Sequence, residues 1–451
     1  MNPNIFREYD IRGTYPETIN ETTAYTIGRS YGSYLKEKLN QTTCIVSHDN
    51  RLSSPALAAY LTKGITDSGL NVFNYGLTTT PMHYYARYVH NLFGIMITAS
   101  HNPKDDNGFK FSFDNLANAR GSMIEDFKNY TLAGNFTSGN GTISNGNITE
   151  KYVEYLRYGV ELGRNKRKVI VDLGNGATTV VARRIFEKLN VDFEIIFEEN
   201  DGRFPNHHPD PIVEENLTVL KNEVIKNKAD CGIAFDGDGD RVGIVDNLGR
   251  LIPTDHYMIL IIRDIIEKAK NKTFLYDVKC SKALEDEIIR LGGTPVCYRT
   301  GASYTQAKVK EDNMLFGGEY SGHVYFRDKI ADVGSGIYAG LRIIEILSKT
   351  DKSLSDLLSD IPKYYSTPEI KFPTTDEIKF DVVRNIKYFC ESQKWSLNTI
   401  DGVRVNFSNG WALVRASNTG PNLTMRCEAT TEEGLNNLKT IFTNLINNYN
   451  K

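Results

Sequence analysis

Short apolar runs alternate with amphipathic stretches along most of this chain, the pattern of strands alternating with helices. Residues 45–47 and 92–97 read as buried strands. Residues 55–68 read as a helix, because Leu57, Leu61 and Ile65 recur at four-residue spacing on one face. Residues 134–147, rich in Gly, Asn, Ser and Thr, read as a loop or boundary. Beyond them, residues 168–172, the helical run VVARRIFEKLN and residues 193–197 form a βαβ pattern. The apolar strand 231–235 runs into DGDGDR. A unit starting near Leu251 holds strands at 273–276 and 295–298, the helix ALEDEIIRL between them, and the run MLFG ahead of GEYSGH. After Pro362 the strands 402–407 and 411–415 and a closing helix near 432–447 predict a smaller α+β domain.

One feature repeats. Apolar strands run into the polar loops TASHNP, DGDGDR and GEYSGH, and a fourth runs into SNTGPN. In open α/β sheets ligands bind beyond the carboxyl ends of strands. The pattern predicts four units, 1–148, 149–250, 251–365 and 366–451, each giving one loop to a shared cleft. A chain of 451 residues is too long for one core, which agrees.

Composition narrows the function. The net charge of -3 leaves no excess of Lys and Arg for nucleic-acid backbones. No apolar run approaches the length of a membrane span, and the N-terminus lacks a signal-peptide pattern, so a cytoplasmic protein is expected. Six cysteines without a CxxC pair read as reduced thiols.

The loops carry the candidate chemistry. Asp236, Asp238 and Asp240 alternate with glycines that let a loop curl, so the three carboxylates can converge on a hard cation. An EF-hand is excluded, since Arg241 and Asn247 stand where it needs Gly and Glu. The remaining choice is a Mg²⁺ site or an acidic turn. Ser100 is either a turn residue or a hydroxyl that carries a transferred group. Lys110 reads as an exposed cation or a proton-transfer group. Glu319, Ser321 and His323 suit vicinal sugar hydroxyls and acid–base work, or form a polar turn. Arg415, the following SNTGPN loop and Arg426 suit a phosphate nest, or a surface turn. Gly28–Gly32 matches GxSxG but lies in a helical stretch with no strand before it. Gly174-Asn-Gly176 is a lone GxG turn.

Together, in order, from FREYDIRG to RASNTGPNLTMRCEA, these motifs resemble the α-D-phosphohexomutase family, in the pattern of its bacterial phosphomannomutase/phosphoglucomutase members. The resemblance implies three similar mixed α/β domains and a C-terminal α+β domain around a central cleft. It implies transfer of a phosphoryl group between C1 and C6 of a hexose, with Mg²⁺, a hexose 1,6-bisphosphate intermediate, and a monomer or weak oligomer. Ser100 matches the phosphorylated serine and a metal contact, and Asp236, Asp238 and Asp240 match the metal ligands. Glu319 and Ser321 match sugar contacts; Arg415, Ser417, Asn418, Thr419 and Arg426 match the phosphate clamp. Lys110, His323 and His101 match groups at the reacting centre, as do Arg12 and Arg241, with Tyr9 and Lys279 near the substrate. Ala302 replaces a cleft histidine, and Tyr320 stands where many members have Met. Phosphoglucosamine mutase, a metal-dependent sugar-phosphate phosphatase and a non-catalytic sensor are the alternatives.

Overall fold

The computed structural model describes residues 1–331, 334–417 and 420–451. Its strands fall into four sheets. The first has the order Ile11–Thr14, Asp106–Phe111, Gly94–Ile97, Thr43–His48, Asn71–Leu77, Ile143–Asn145. Its four last-named strands are parallel neighbours, and Asp106–Phe111 returns antiparallel beside Gly94–Ile97. The second sheet has the order Leu251–Ile252, Val242–Asp246, Cys231–Phe235, Lys168–Asp172, Asp192–Ile196, and the third Thr294–Tyr298, Thr273–Asp277, Phe316–Gly318, Val324–Phe326. The fourth is antiparallel and rests on helices Lys379–Ser392 and Glu432–Tyr449.

The repeated pattern has a structural cause. Gly94–Ile97, Cys231–Phe235 and Phe316–Gly318 are fully buried strands, each followed by an antiparallel return strand. Gly410–Ala416 returns as Asn422–Ala429 in the same way. Each polar loop is therefore a hairpin connection, anchored by ladder hydrogen bonds on both sides. The sequence reading placed the incoming strands and missed the returns. Within the loop or boundary expected over 134–147, Ile143–Asn145 adds a parallel edge strand to Asn71–Leu77. All three of its side chains are exposed, so no apolar alternation marked it.

One continuous core joins the first three sheets; it holds Tyr85, Phe186, Tyr257, Phe274 and Ile344. A smaller contact of Val278 with Trp411 and Leu413 ties the C-terminal unit to the third. Among the described residues, no helix is long and apolar enough to cross a membrane. Helix Gly336–Ser348 is buried on nearly every side and carries Arg342, whose guanidinium is wholly out of water. Arg342 lies 2.8 Å from Asp328, 3.1 Å from Asp264 and 3.3 Å from Glu345. Removing one partner from such a group strands a buried charge. Arg342→Leu should cost roughly 3 kcal/mol, the low end of the expected range because Lys329 and Lys349 still reach Glu345. The check is the urea midpoint, which falls on this account; an unchanged or higher midpoint would count against it.

Candidate functional site

The buried strand Gly94–Ile97 ends in Thr98-Ala99-Ser100. Ser100 is only 2% exposed and holds a φ of 53°, the left-handed region that side chains with a β-carbon rarely adopt. Thr98 Oγ1 accepts the Ser100 N–H at 2.9 Å, and Asn102 N–H donates to the Ala99 carbonyl at 3.0 Å. Arg12 is paired with Asp10 through Nε at 2.8 Å and also donates to the Ala99 carbonyl. The turn aims Ser100 Oγ at Asp236 Oδ2, to which it donates at 2.7 Å.

The second hairpin loop brings the three aspartates together. One oxygen of each of Asp236, Asp238 and Asp240 lies within 4.8 Å of the others, and all three residues are buried. Two glycines permit this. Gly239 has a φ of 80°, and a β-carbon on Gly237 would come within 2.6 Å of the Ser100 carbonyl oxygen. Asp236 Oδ1 accepts the N–H groups of Gly239 at 3.0 Å and Arg241 at 3.1 Å. Asp238 Oδ2 accepts from Thr80 Oγ1 at 2.6 Å, Thr98 Oγ1 at 3.1 Å and Lys110 Nζ at 3.0 Å. Lys110 Nζ also reaches Asp240 Oδ2 at 2.6 Å.

Asp238 Oδ1 is buried with no hydrogen-bond partner among the described residues. A carboxylate oxygen in that state is costly unless something else binds it. Three convergent buried carboxylates, with one oxygen of Asp238 and one of Asp240 outside any hydrogen bond among the described residues, fit a hard divalent cation. Electrostatics agree. Burial and the neighbouring Asp238 and Asp240 charges push the Asp236 carboxyl well above the usual range. Burial also opposes ionisation of Asp240, but Lys110 and His323 outweigh it and hold that carboxyl low. For Lys110, burial is outweighed by Asp238 and Asp240, so the ammonium keeps its charge.

The third loop continues the chain of contacts. Glu319 Oε1 accepts from the Gly301 N–H and, at 2.9 Å, from Thr305 Oγ1. Its other oxygen lies 3.3 Å from Ser321 Oγ and 3.2 Å from His323 Nδ1. His323 Nε2 lies 3.2 Å from Asp240 Oδ1. Burial disfavours the imidazolium, yet Asp240 and Glu319 raise the His323 pKa overall. His101 is the opposite case. Burial, Arg241 and Arg12 drive its pKa well down, and its Nδ1 sits 3.4 Å from Ser100 Oγ. Arg241 Nε lies 3.9 Å from Asp236 Oδ2. Ala302 opens the helix Ala302–Glu311 that follows Gly301.

Tyr9 lies within electrostatic reach of Glu319 and Arg415; burial, Asp10 and Glu319 push its hydroxyl up to about 12. Lys279 Nζ lies 3.4 Å from Glu369 Oε2 and 3.9 Å from Asp277. At the end of strand Gly410–Ala416, Arg415 Nε donates to Asp401 Oδ2 at 3.0 Å, and the same oxygen accepts the Thr300 N–H at 3.0 Å. Ser417 N–H donates to the Asn422 carbonyl at 2.8 Å. Asn418 and Thr419 lie outside the described residues. Arg426 is 3% exposed, donates to the Lys279 carbonyl and stacks 3.7 Å over the Tyr320 ring. In this arrangement its guanidinium fastens the C-terminal unit to the third one.

Sequence reasoning missed Thr80, Thr98 and Arg51. Thr98 opens the TASHNP loop, in which Ser100 and His101 alone are candidates from the sequence. Thr80 opens helix Thr80–His90 behind the Thr79 cap, and its hydroxyl and N–H both reach Asp238. A Thr-Thr-Thr-Pro run signals a helix start, but nothing local signals that this start abuts an aspartate far along the chain.

Comparison with known proteins gives the same organisation. Four sequence families, described as phosphoglucomutase/phosphomannomutase alpha/beta/alpha domains I, II and III and C-terminal domain, match residues 3–136, 150–249, 253–365 and 369–445. A phosphomannomutase/phosphoglucomutase of Pseudomonas syringae pv. tomato is 41% identical, covering 97% of this chain and 94% of that protein. A phosphoglucomutase of Neisseria gonorrhoeae is 35% identical, over 97% and 96% of the two chains. A phosphoglucomutase/phosphomannomutase family protein of Burkholderia thailandensis superposes with a TM-score of 0.91 at 32% identity, over 99% and 97% of the two chains. With four domain matches in order and relatives aligned over nearly its whole length, the chain belongs to the phosphoglucomutase/phosphomannomutase family.

Proposed function

We propose that this protein is an isomerase that moves a phosphoryl group between the C1 and C6 oxygens of mannose and glucose phosphates. Phosphorylated Ser100 and a hexose 1,6-bisphosphate are the intermediates. The observation that carries the reading is Ser100 Oγ, 2.7 Å from one of three gathered buried aspartates and held in a left-handed turn. The names of the relatives favour mannose and glucose over glucosamine.

A phosphoryl group on Ser100 carries nearly two negative charges. Asp236, Asp238 and Asp240 would hold Mg²⁺ there. When bound, the ion offsets charge on the phosphoryl oxygens in a transition state that needs positioning more than covalent help. Lys110, Arg12 and Arg241 supply fixed positive charge around the same group. In the first half-reaction the Ser100 Oγ–P bond breaks as a bond forms to the free sugar hydroxyl. The proton of that hydroxyl passes to the neutral form of the His323 imidazole, which lies between Asp240 and Glu319. The bisphosphate then turns end over end, its other phosphate returns to Ser100, and the proton goes back to the new hydroxyl. Glu319 and Ser321 read the sugar hydroxyls in both orientations. Arg415 and the loop after it, including Ser417, Asn418 and Thr419, hold the phosphate that is not transferred, and Tyr9 and Lys279 flank the substrate. We assign residues 1–148 to the phosphoserine loop, 149–250 to the metal loop, 251–365 to the sugar loop and 366–451 to the phosphate clamp. The chain works on a small substrate in aqueous solution, consistent with a cytoplasmic monomer or weak oligomer.

Ser100→Ala should lower mutase turnover by at least about a thousandfold with mannose 1-phosphate and glucose 1-phosphate, assayed with a catalytic amount of bisphosphate. Near-normal turnover would refute the reading, and release of free phosphate without isomerisation would favour the phosphatase. Stripping divalent ions with EDTA should abolish turnover and added Mg²⁺ restore it. Asp238→Asn should raise the Mg²⁺ concentration needed for half-maximal rate; an unchanged Mg²⁺ requirement would remove Asp238 from the metal site.

A further inference from the structure

The loop that carries Ser100 is held from behind by one side chain. Arg51 follows the strand Thr43–His48 and is completely buried. Its Nη2 donates to the carbonyls of Ser100 at 2.8 Å and Asn102 at 2.7 Å. Its Nη1 donates to the carbonyls of Pro103 and, at 3.0 Å, Asp106. Its Nε lies 3.2 Å from Asp49 Oδ2. The Phe204 ring covers the guanidinium at 5.3 Å, from a segment between the strands of the second sheet. The planar fork of arginine is thus divided among one carboxylate and four carbonyls of a single loop. Lysine, a point charge on a flexible stem, cannot copy that geometry.

These contacts have a consequence on the opposite side. In a planar trans peptide the N–H points away from the C=O. With the Ser100 carbonyl drawn to Arg51, the His101 N–H faces away from Arg51. Among the described residues that N–H has no acceptor. An unpaired backbone N–H beside Ser100 is a donor available to an anion carried on its Oγ. The same carbonyl is boxed in from the second loop, since a β-carbon on Gly237 would meet it at 2.6 Å.

We propose that Arg51 is a positioning residue for phosphoryl transfer. By holding four loop carbonyls to its own side, it fixes the turn from which Ser100 Oγ reaches Asp236 and presents the His101 N–H to the phosphoryl group on Ser100. Arg51 touches neither substrate nor phosphate. It acts through the peptide plane, and Phe204 presses the fork into place from the second unit. The inference rests on the phosphoserine reading above.

Arg51→Lys tests it. Steady-state rates with glucose 1-phosphate and catalytic glucose 1,6-bisphosphate give kcat and KM, and ³¹P NMR of the phosphorylated enzyme reports the surroundings of the phosphoryl group. The urea midpoint is measured alongside. The expected result is a kcat lower by about tenfold to a hundredfold, a KM within about threefold of the original, and a displaced ³¹P resonance. A folded variant with unaltered kcat and an unmoved resonance overturns the proposal, as does a loss of rate that only follows the folded fraction. Should the variant not fold, Phe204→Leu decides, because it removes the ring that presses the guanidinium against the loop carbonyls while leaving every hydrogen-bonding group of Arg51 and the loop present. There a lower kcat at constant KM supports the proposal, and unchanged kinetics overturn it. An inactive unmodified protein would instead sink the mutase reading itself.

Discussion

Asp236, Asp238 and Asp240 sit out of water with one oxygen of each within 4.8 Å of the others. At that separation each like-charged pair repels by roughly 3–4 kcal/mol, even at an effective dielectric constant near 20. The surrounding elements answer this repulsion from three directions. Lys110 comes from the return strand of the first hairpin, His323 from the third loop, and Thr80 from the start of a helix. The answer stays incomplete, because Asp238 Oδ1 has no hydrogen-bond partner among the described residues and the Asp236 carboxyl is pushed up by burial and its neighbours. A divalent cation would complete the balance, and Ser100 is the hydroxyl that the first loop delivers to the edge of the cluster.

Delivery depends on hairpins at the carboxyl ends of sheet strands. A free polar loop would sample many conformations. A loop pinned by ladders on both flanks samples few, and the ordering it needs is already met by the fold. The four loops contribute different chemistry with the same support, and hydrogen bonds connect them in series. Ser100 meets Asp236, Lys110 bridges Asp238 and Asp240, His323 joins Asp240 to Glu319, and Asp401 links Thr300 to Arg415. A displacement in any one loop is felt by the next.

Much of this was legible in the sequence, because each loop follows an apolar run with period or length typical of a buried strand. The aspartates, Ser100 and Glu319 stand in loops of that kind, and Arg415 at the end of such a strand. The rest depends on where distant segments meet. Lys110 by itself reads as a solvent-exposed cation; it is buried because the return strand sets it opposite Met96 and beside the aspartates. Arg51 lies in an unremarkable stretch, HDNRLSS, and only the folded loop reveals four carbonyls pointing at it. Arg426 follows the candidate phosphate-clamp loop in sequence, and no local pattern announces that its guanidinium stacks on Tyr320 and bonds across to the third unit. Arginine near a polar loop carries no local mark of which of these jobs it has.

The central claim is that Ser100 carries the phosphoryl group in both directions. Dephosphorylated enzyme mixed with ³²P-labelled hexose 1,6-bisphosphate, then digested and mapped, tests it directly. The account predicts label on the peptide that contains Ser100, and its return to sugar when unlabelled hexose 6-phosphate is added. Label that never reaches that peptide, or that leaves it only as inorganic phosphate, would contradict the account.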